Sequence, residues 1–272
     1  MTTAKRISNS QKYAYYQKAV QAPDAQLKNY LMIYKDIFHK TPYRLREDFS
    51  GTFLFSCEWI KSNKNRTALA IDFDPEPLNY GIKHNLMALP ADTQSRMTLL
   101  RDDVRTITGG RPHIIDASNF SFNVFKKKED LQTYFHATHE TLDKNGILLL
   151  DVVGGKGFTE APACETKICM KEDKNGNEKP WFTYYWNTHR YDSKTRNGLW
   201  SISVKLKGGR KINKLFEYDW HLWSLNEIKS TLLKVGYSQV VVYQQDPDDG
   251  VYRRIEKNPK DYCWICLVAG VK

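Results

Sequence analysis

Residues 44–53 read RLREDFSGTF and residues 68–76 read ALAIDFDPE, and the relation between these two stretches decides the fold. The first runs from an extended segment, Arg44 to Phe49, through Gly51 into Phe53 to Ser62, whose apolar periodicity is helical. A glycine at a strand-to-helix turn lets backbone approach a ligand closely, and the helix start behind it presents unpaired N–H groups. The second stretch ends a strand, Ala68 to Phe73, at Asp72. In doubly wound folds an acid about twenty residues beyond the glycine turn accepts hydrogen bonds from ribose hydroxyls. An acid here can also cap a helix that begins at Pro75. Asp74 suits that better, because proline favours the first helical position and the residue before it is the cap.

Working outward, strand-like and helix-like stretches alternate. Met97 to Leu100, Ile114 to Phe120 and Ile147 to Val153 read as strands, Pro75 to Leu86 and Lys128 to Leu142 as helices. This rhythm predicts a mostly parallel sheet with helices on both faces. Upstream, Tyr13, Tyr15, Tyr16, Leu27, Tyr30, Leu31, Tyr34, Ile37 and Phe38 predict amphipathic helix broken near Pro23 and stopped by Pro42. From Gly154 to Trp220 the pattern changes. Glu165 to Lys171, Trp181 to Tyr191, Leu199 to Leu206 and Leu215 to Trp220 read as strands, separated by Asn175-Gly176, Asn197-Gly198 and Gly208-Gly209, which predicts an antiparallel meander. A helix from Leu225 to Val235 capped by Gly236, a strand Gln239 to Tyr243, a polar loop through Pro247 and Pro259, and a strand Tyr262 to Val268 complete the chain. The expected organisation is an N-terminal helical segment (1–43), a cofactor-binding sheet domain (44–153 and 221–272) and an inserted meander (154–220).

Two further segments lie where such a sheet binds ligands. Leu100-Arg-Asp-Asp-Val104 offers a carboxylate, Asp103, beside an apolar residue, Val104, suited to an adenine amino group and its ring face. Ile114-Ile-Asp-Ala-Ser-Asn-Phe-Ser-Phe122 begins as a buried strand and ends small and polar, so Ser118, Asn119 and Phe120 are expected to border the pocket. Taken in this order, the four segments resemble the class I S-adenosylmethionine-dependent methyltransferases. Glu47 to Thr52 matches that family's glycine-loop motif, Asp72 its ribose-binding acid, Asp103-Val104 its adenine-side pair and Ala117 to Phe122 its fourth motif. The resemblance covers roughly residues 44–153 and 221–272 and is close to bacterial-type small-molecule methyltransferases with a REDFSGT-like loop and an IDFDPEPL-like second strand.

The resemblance implies a Rossmann-like α/β fold whose last strand is antiparallel, with S-adenosylmethionine as cofactor. It implies that Asp48, Phe49, Ser50, Gly51, Thr52, Asp72, Phe73, Asp103, Val104, Ser118 and Phe120 surround the cofactor. Arg46 or an N-terminal tyrosine would reach its carboxylate, and Asn119 would orient the acceptor. The loop departs from the family at Ser50 and Phe53, where many members have glycine.

Within Trp181 to Tyr191, Phe182, Tyr184 and Trp186 share one face and Trp181, Tyr185 and His189 the other. One face is expected to cover the acceptor and the other to pack on a helix or on a second copy of the chain. Tyr184, Trp186, Arg190 and Tyr218 are the substrate-contacting residues this implies, with His189 and His221 as further polar groups. Cys263-Trp-Ile-Cys266 is not read as a metal or redox motif, because residues three apart on a strand face opposite ways and no second cysteine pair completes a ligand set.

The five cysteines are too few and scattered for a disulfide framework, and no apolar run reaches the length of a signal core or a membrane span, so a soluble cytoplasmic protein is expected. The net charge of +10 is mostly dispersed. It leaves a small molecule as the expected methyl acceptor, at N or O. An RNA methyltransferase using the basic residues of Lys205 to Lys214 is the alternative, and a non-catalytic cofactor-binding module a third reading. Nicotinamide binding is disfavoured by the absence of a G-x-G-x-x-G loop.

Overall fold

The computed structural model describes residues 7–209 and 211–272. The first six residues, part of the N-terminal segment read above for targeting, and Arg210 of the basic stretch lie outside them.

In chain order the elements begin with helices α1 (Asn9–Val20) and α2 (Pro23–Phe38), then β1 (Arg44–Asp48), α3 (Leu54–Lys61), β2 (Thr67–Ile71) and α4 (Pro75–Gly81). Helix α4 runs on as a π-helical turn, Ile82–Leu86, before α5 (Ala91–Gln94), β3 (Met97–Leu100) and β4 (Ile114–Ala117). A 3-10 turn, Ser121–Val124, leads to α6 (Lys128–Thr141), β5 (Ile147–Gly154) and the short α7 (Lys156–Thr159). Four long strands follow, β6 (Ala163–Glu172), β7 (Glu178–Tyr191), β8 (Asn197–Leu206) and β9 (Lys211–His221). The chain closes with α8 (Leu225–Val235), β10 (Gln239–Gln245), β11 (Tyr252–Ile255) and β12 (Trp264–Val271).

These elements form two compact units, Pro23–Phe158 with Leu222–Lys272, and Met1–Ala22 with Thr159–His221. The helical N-terminal segment is therefore shared: α1 belongs with the meander and α2 with the larger sheet.

The larger unit is built on eight strands in the order β11-β10-β12-β5-β4-β1-β2-β3. Strands β3, β2, β1, β4 and β5 are parallel neighbours, and β12 runs antiparallel between β5 and β10. The fold is thus the Rossmann-like sheet with two reversed strands, β12 and the edge strand β11. On one face, Tyr30, Ile33 and Tyr34 of α2 and Phe55, Trp59 and Ile60 of α3 bury Leu45, Ile114, Ile147 and Leu149. On the other, Leu131 and Phe135 of α6 and Ile228 and Leu232 of α8 bury Ile115, Leu148, Leu150 and Val152. Burial of both faces explains why β5 is a continuous apolar run rather than an alternating one.

Helix starts follow their sequence signals. Asp74 accepts from Glu76 N–H at 2.9 Å ahead of Pro75, and Ser224 with Glu227 forms a capping box at α8. Two readings are corrected. The polar loop through Pro247 and Pro259 contains β11, which pairs antiparallel with β10. Its exposed Arg253 and Arg254 are the charges an edge strand carries, and they hid its extended character. Strand β4 stops at Ala117 rather than at Phe120, because Asn119 (φ 55°) and Phe120 (φ 59°) both take the left-handed conformation, which no strand accommodates.

The smaller unit is the predicted meander, an antiparallel sheet in the order β6-β7-β8-β9. Helix α1 packs on it through Tyr15, which contacts Phe182 edge-on at 4.8 Å, and Tyr16, 4.9 Å from Phe216. No helix among the described residues is long and apolar enough to cross a membrane.

Candidate functional site

The carboxyl ends of β1 and β2 build a tight loop. Ser50 N–H donates to the Ile71 carbonyl at 3.0 Å and Phe53 N–H to the Ser50 carbonyl at 2.7 Å. Gly51 N–H donates to Asp72 Oδ2 at 2.7 Å, and Asp74 N–H to Asp72 Oδ1 at 2.9 Å. Asp72 is therefore fixed by the loop it faces and by the backbone N–H groups of Phe73 and Asp74, with room on its carboxylate for one further donor. Burial raises its pKa, against the backbone N–H groups that lower it.

Three alternate positions of this loop are left-handed: Phe49 (φ 52°), Gly51 (φ 53°) and Phe53 (φ 43°). That conformation costs any residue with a Cβ, so it marks where glycine is sterically favoured. Phe49 and Phe53 are the phenylalanines in glycine's place, whereas Ser50 is not among the left-handed residues. The fully buried Phe53 packs against Gly81 of α4, where a Cβ would collide with the Phe53 ring and the Thr52 carbonyl. Thr52 is buried, and its carbonyl accepts from Asn85 Nδ2 at 2.8 Å. Ser50 is also buried, and its Oγ has no hydrogen-bond partner.

Arg46, expected to meet a ligand carboxylate or lie exposed at a strand edge, is fully buried instead. Its Nε donates to Asp48 Oδ1 at 2.6 Å and its Nη2 to the Val104 carbonyl at 2.5 Å. Its Nη1 meets the Thr106 carbonyl and Thr108 Oγ1, both at 3.1 Å. Tyr134 Oη donates to Asp48 Oδ2 at 2.9 Å. Arg46 and Asp48 thus form an internal ion pair that ties β1 to the segment after β3.

Asp103 is exposed and bound by the Arg105 guanidinium, Nη2 to Oδ2 at 2.6 Å, which holds its carboxyl below the usual range. Val104 beside it is buried, and Phe73 next to Asp72 is an exposed aromatic, 73% accessible. The loop, Asp72 and Phe73 are brought together at one edge of the sheet; Asp103 is engaged in its own pair.

A feature not singled out from the sequence lies on the α2 side. Glu47 of β1 and Asp116 of β4 are register partners, and Asp151 lies two residues beyond Leu149, the β5 partner of Asp116. Strand alternation puts these three carboxylates on one face of neighbouring strands. Tyr30 Oη donates to Asp116 Oδ1 at 2.5 Å, while Ser118 Oγ (2.6 Å) and Gln26 Nε2 (3.0 Å) donate to Oδ2. Asn119 N–H donates to Asp151 Oδ2 at 2.7 Å. Burial pushes Glu47 up to about 7 and Asp151 up to about 6, and it raises Asp116 well above its ordinary value. The available signal was a single acid interrupting each apolar strand, Asp116 in IIDA and Asp151 in ILLLDVVG. Asn119 is thereby placed by its backbone against an acid, and Phe120 lies 6.0 Å from the ring of Phe158.

In the smaller unit, Tyr184, Trp186 and Tyr218 share a face, with Trp186 5.6 Å from Tyr218 and Tyr218 4.5 Å from Trp220. Burial raises the phenols of Tyr184 and Tyr218. Arg190 does not join them: it is exposed, beyond a register shift after Thr188. His189 meets Ser201 Oγ at 2.8 Å and His221 meets Asn197 Oδ1 at 3.0 Å. Cys266 is buried in the large core and Cys263 is exposed, and all five cysteines are unbridged.

No family model matches the chain, and no curated protein matches it. Solved structures do. A S-adenosylmethionine-dependent methyltransferase from Clostridium acetobutylicum is 16% identical, with 96% of this chain and 98% of that one covered and a TM-score of 0.66. The amino pentose methyltransferase CalS10 from Micromonospora echinaspora, solved with S-adenosylmethionine bound, is 13% identical over 99% and 100%, with a TM-score of 0.67. The sugar N-methyltransferase KedS8 from Streptoalloteichus is 13% identical over 100% and 96%, with a TM-score of 0.65. Matching over almost its whole length, this chain has the Rossmann-like fold of the class I S-adenosylmethionine-dependent methyltransferases.

Proposed function

We propose that the chain binds S-adenosylmethionine at the β1–β2 edge and transfers its methyl group to a small-molecule acceptor, with nitrogen favoured over oxygen. The observation that carries this reading is the loop 49–53 locked to Asp72. A left-handed loop faces an acid with room for a further donor, and a buried hydroxyl, Ser50 Oγ, lacks a partner. An orphaned buried hydroxyl is costly unless a bound group satisfies it. These residues fit the cofactor. Asp72 would accept the ribose hydroxyls, Ser50 and the loop backbone would seat the methionine portion, and Phe73 would cover the adenine. Arg46 has no donor to spare for a carboxylate.

When bound, the cofactor supplies an already activated methyl group, so positioning supplies much of the rate. What remains for the chain is to orient the acceptor and remove a proton. An amine arrives protonated at neutral pH and must lose that proton to expose its lone pair. Asp151 accepts the Asn119 N–H at Oδ2, leaving Oδ1 to take a proton, and its pKa near 6 keeps it mostly ionised at pH 7. Asp151, the member of the acid row that stays mostly ionised, favours a cationic acceptor over an anionic one. The names of two structural neighbours, an amino pentose and a sugar N-methyltransferase, agree with nitrogen. The acceptor contacts expected from the sequence, Tyr184, Trp186, Arg190 and Tyr218, belong to the smaller unit, where Tyr184 and Tyr218 lie on the face that α1 packs against; Trp186 is the member of the set to test.

Calorimetry tests the reading. The protein is expected to bind S-adenosylmethionine and S-adenosylhomocysteine at micromolar concentration and not NAD. Asp72→Ala should weaken that binding at least tenfold, about 1.5–3 kcal/mol, and also lower the melting temperature because Asp72 holds Gly51 and Asp74. Trp186→Ala should reduce turnover of an amine acceptor and leave cofactor affinity unchanged. Full affinity in a folded Asp72→Ala protein would overturn the cofactor assignment.

A further inference from the structure

The net charge is divided unevenly. Residues of the smaller unit carry sixteen Lys and Arg against eight Asp and Glu, whereas the larger unit carries twenty-five against twenty-three. Nearly all of the +10 therefore resides in the meander and its helix.

On the sheet face opposite Phe182, Tyr184 and Trp186, Lys205 of β8 and Lys211 of β9 are direct register partners. Like charges placed opposite each other on one face destabilise a sheet. No ion pair offsets either one among the described residues. Lys211 Nζ sits 4.1 Å above the Tyr185 ring and Lys171 Nζ 5.1 Å from the Trp181 ring. Thr183 is the β7 partner of Lys205, and Ile168 is the β6 partner of Thr183; Ile168 is exposed, 61% accessible. Together Ile168, Trp181, Thr183, Tyr185, Lys205 and Lys207 line a groove of about 420 Å³ that reaches Gly208 and Gly209.

We propose that this groove binds single-stranded RNA with little sequence preference, separately from methyl transfer. Aromatic rings set among unneutralised lysines are what such binding requires: bases stack on the rings and phosphates meet the ammonium groups. A strand, rather than one free nucleotide, is favoured because the positive excess covers the whole unit and not the groove alone. Neither the proposed cofactor site nor the acid row contributes to it.

Fluorescence anisotropy with a labelled twelve-nucleotide oligouridine, titrated across a range of salt concentrations, tests the proposal. Affinity should fall as salt rises, and the Lys205→Glu/Lys211→Glu double variant should bind at least tenfold more weakly at about 0.1 M salt with a shallower slope. Trp181→Ala should weaken binding about tenfold with the slope unchanged, because stacking releases no counterions. As a control for charge alone, Lys174→Glu/Lys194→Glu, on two turns of the same unit, should change affinity less than threefold. Equal losses in the two double variants would overturn the proposal in favour of diffuse attraction. Uridine monophosphate competing as well as the oligomer, or duplex RNA binding as tightly, would overturn it as well. Transfer of labelled methyl to the oligomer would overturn both the separation of this groove from methyl transfer and the small-molecule acceptor.

Discussion

The two units handle charge in opposite ways. The larger hides it: Arg46, Glu47, Asp48 and Asp116 are each no more than 5% exposed, with Arg46 paired to Asp48, Glu47 accepting from Ser56 of α3 and Asp116 from Tyr30 of α2. The smaller displays it, with Lys205, Lys207 and Lys211 exposed on one side and uncharged residues at the buried positions among those described. Buried charge is rigid and costly to disturb, while exposed charge is screened and cheap to change. A residue's charge alone therefore says nothing about its role; its surroundings do.

The sharpest way to break this contrast is Arg46→Met. It leaves Asp48 without its counter-ion in a closed interior, and the expected loss is about 3–5 kcal/mol in urea unfolding. A loss below about 1 kcal/mol would mean that the guanidinium is not structural, restoring it as a ligand contact. The next test is the pH dependence of Glu47, held near 7 in the folded chain against an ordinary 4.5. Because the folded form binds the proton more tightly, this group's stabilising contribution is full below pH 4.5 and is lost as pH rises toward 7. The loss is about 3 kcal/mol. Glu47→Gln should flatten that part of the stability profile, and an unchanged profile would show that burial does not shift this acid. The smallest effect belongs to the smaller unit. Lys214 pairs with Glu217 at 2.8 Å with both side chains about half exposed, so Lys214→Ala should cost less than about 1 kcal/mol and less still in high salt.

The same contrast explains what was legible in the sequence. In the larger unit, the strand–Gly51–helix turn, Asp72 and the Asp74-Pro75 cap are local patterns, and local patterns survive reading without coordinates. The meander strands were legible from Asn175-Gly176, Asn197-Gly198 and Gly208-Gly209, because hairpins are local as well. Pairings between distant positions were not. Asp143 with Arg44, Asp116 with Tyr30, and Val104 with Arg46 each join residues more than fifty positions apart, and no spacing rule connects them. The burial of Arg46 was illegible for this reason, since an arginine on a strand says nothing about the carbonyls that will surround it. Asp116 and Asp151 were visible only as interruptions in apolar runs. Helix α1 joins the meander through Tyr15 and Tyr16, and its periodicity could not say which sheet it would meet.

The packing of Phe53 on Gly81 bears on how such a chain is recognised at all. In a dinucleotide loop the third glycine lets a helix come close. Here the loop has grown a ring and the room has moved to the facing helix, twenty-eight positions later in the chain. The empty space belongs to a pair of residues, and neither one signals it alone. A profile that scores each column independently records a missing glycine at 53 and an unremarkable one at 81. Scored jointly, the two would register as a single clearance shared between loop and helix.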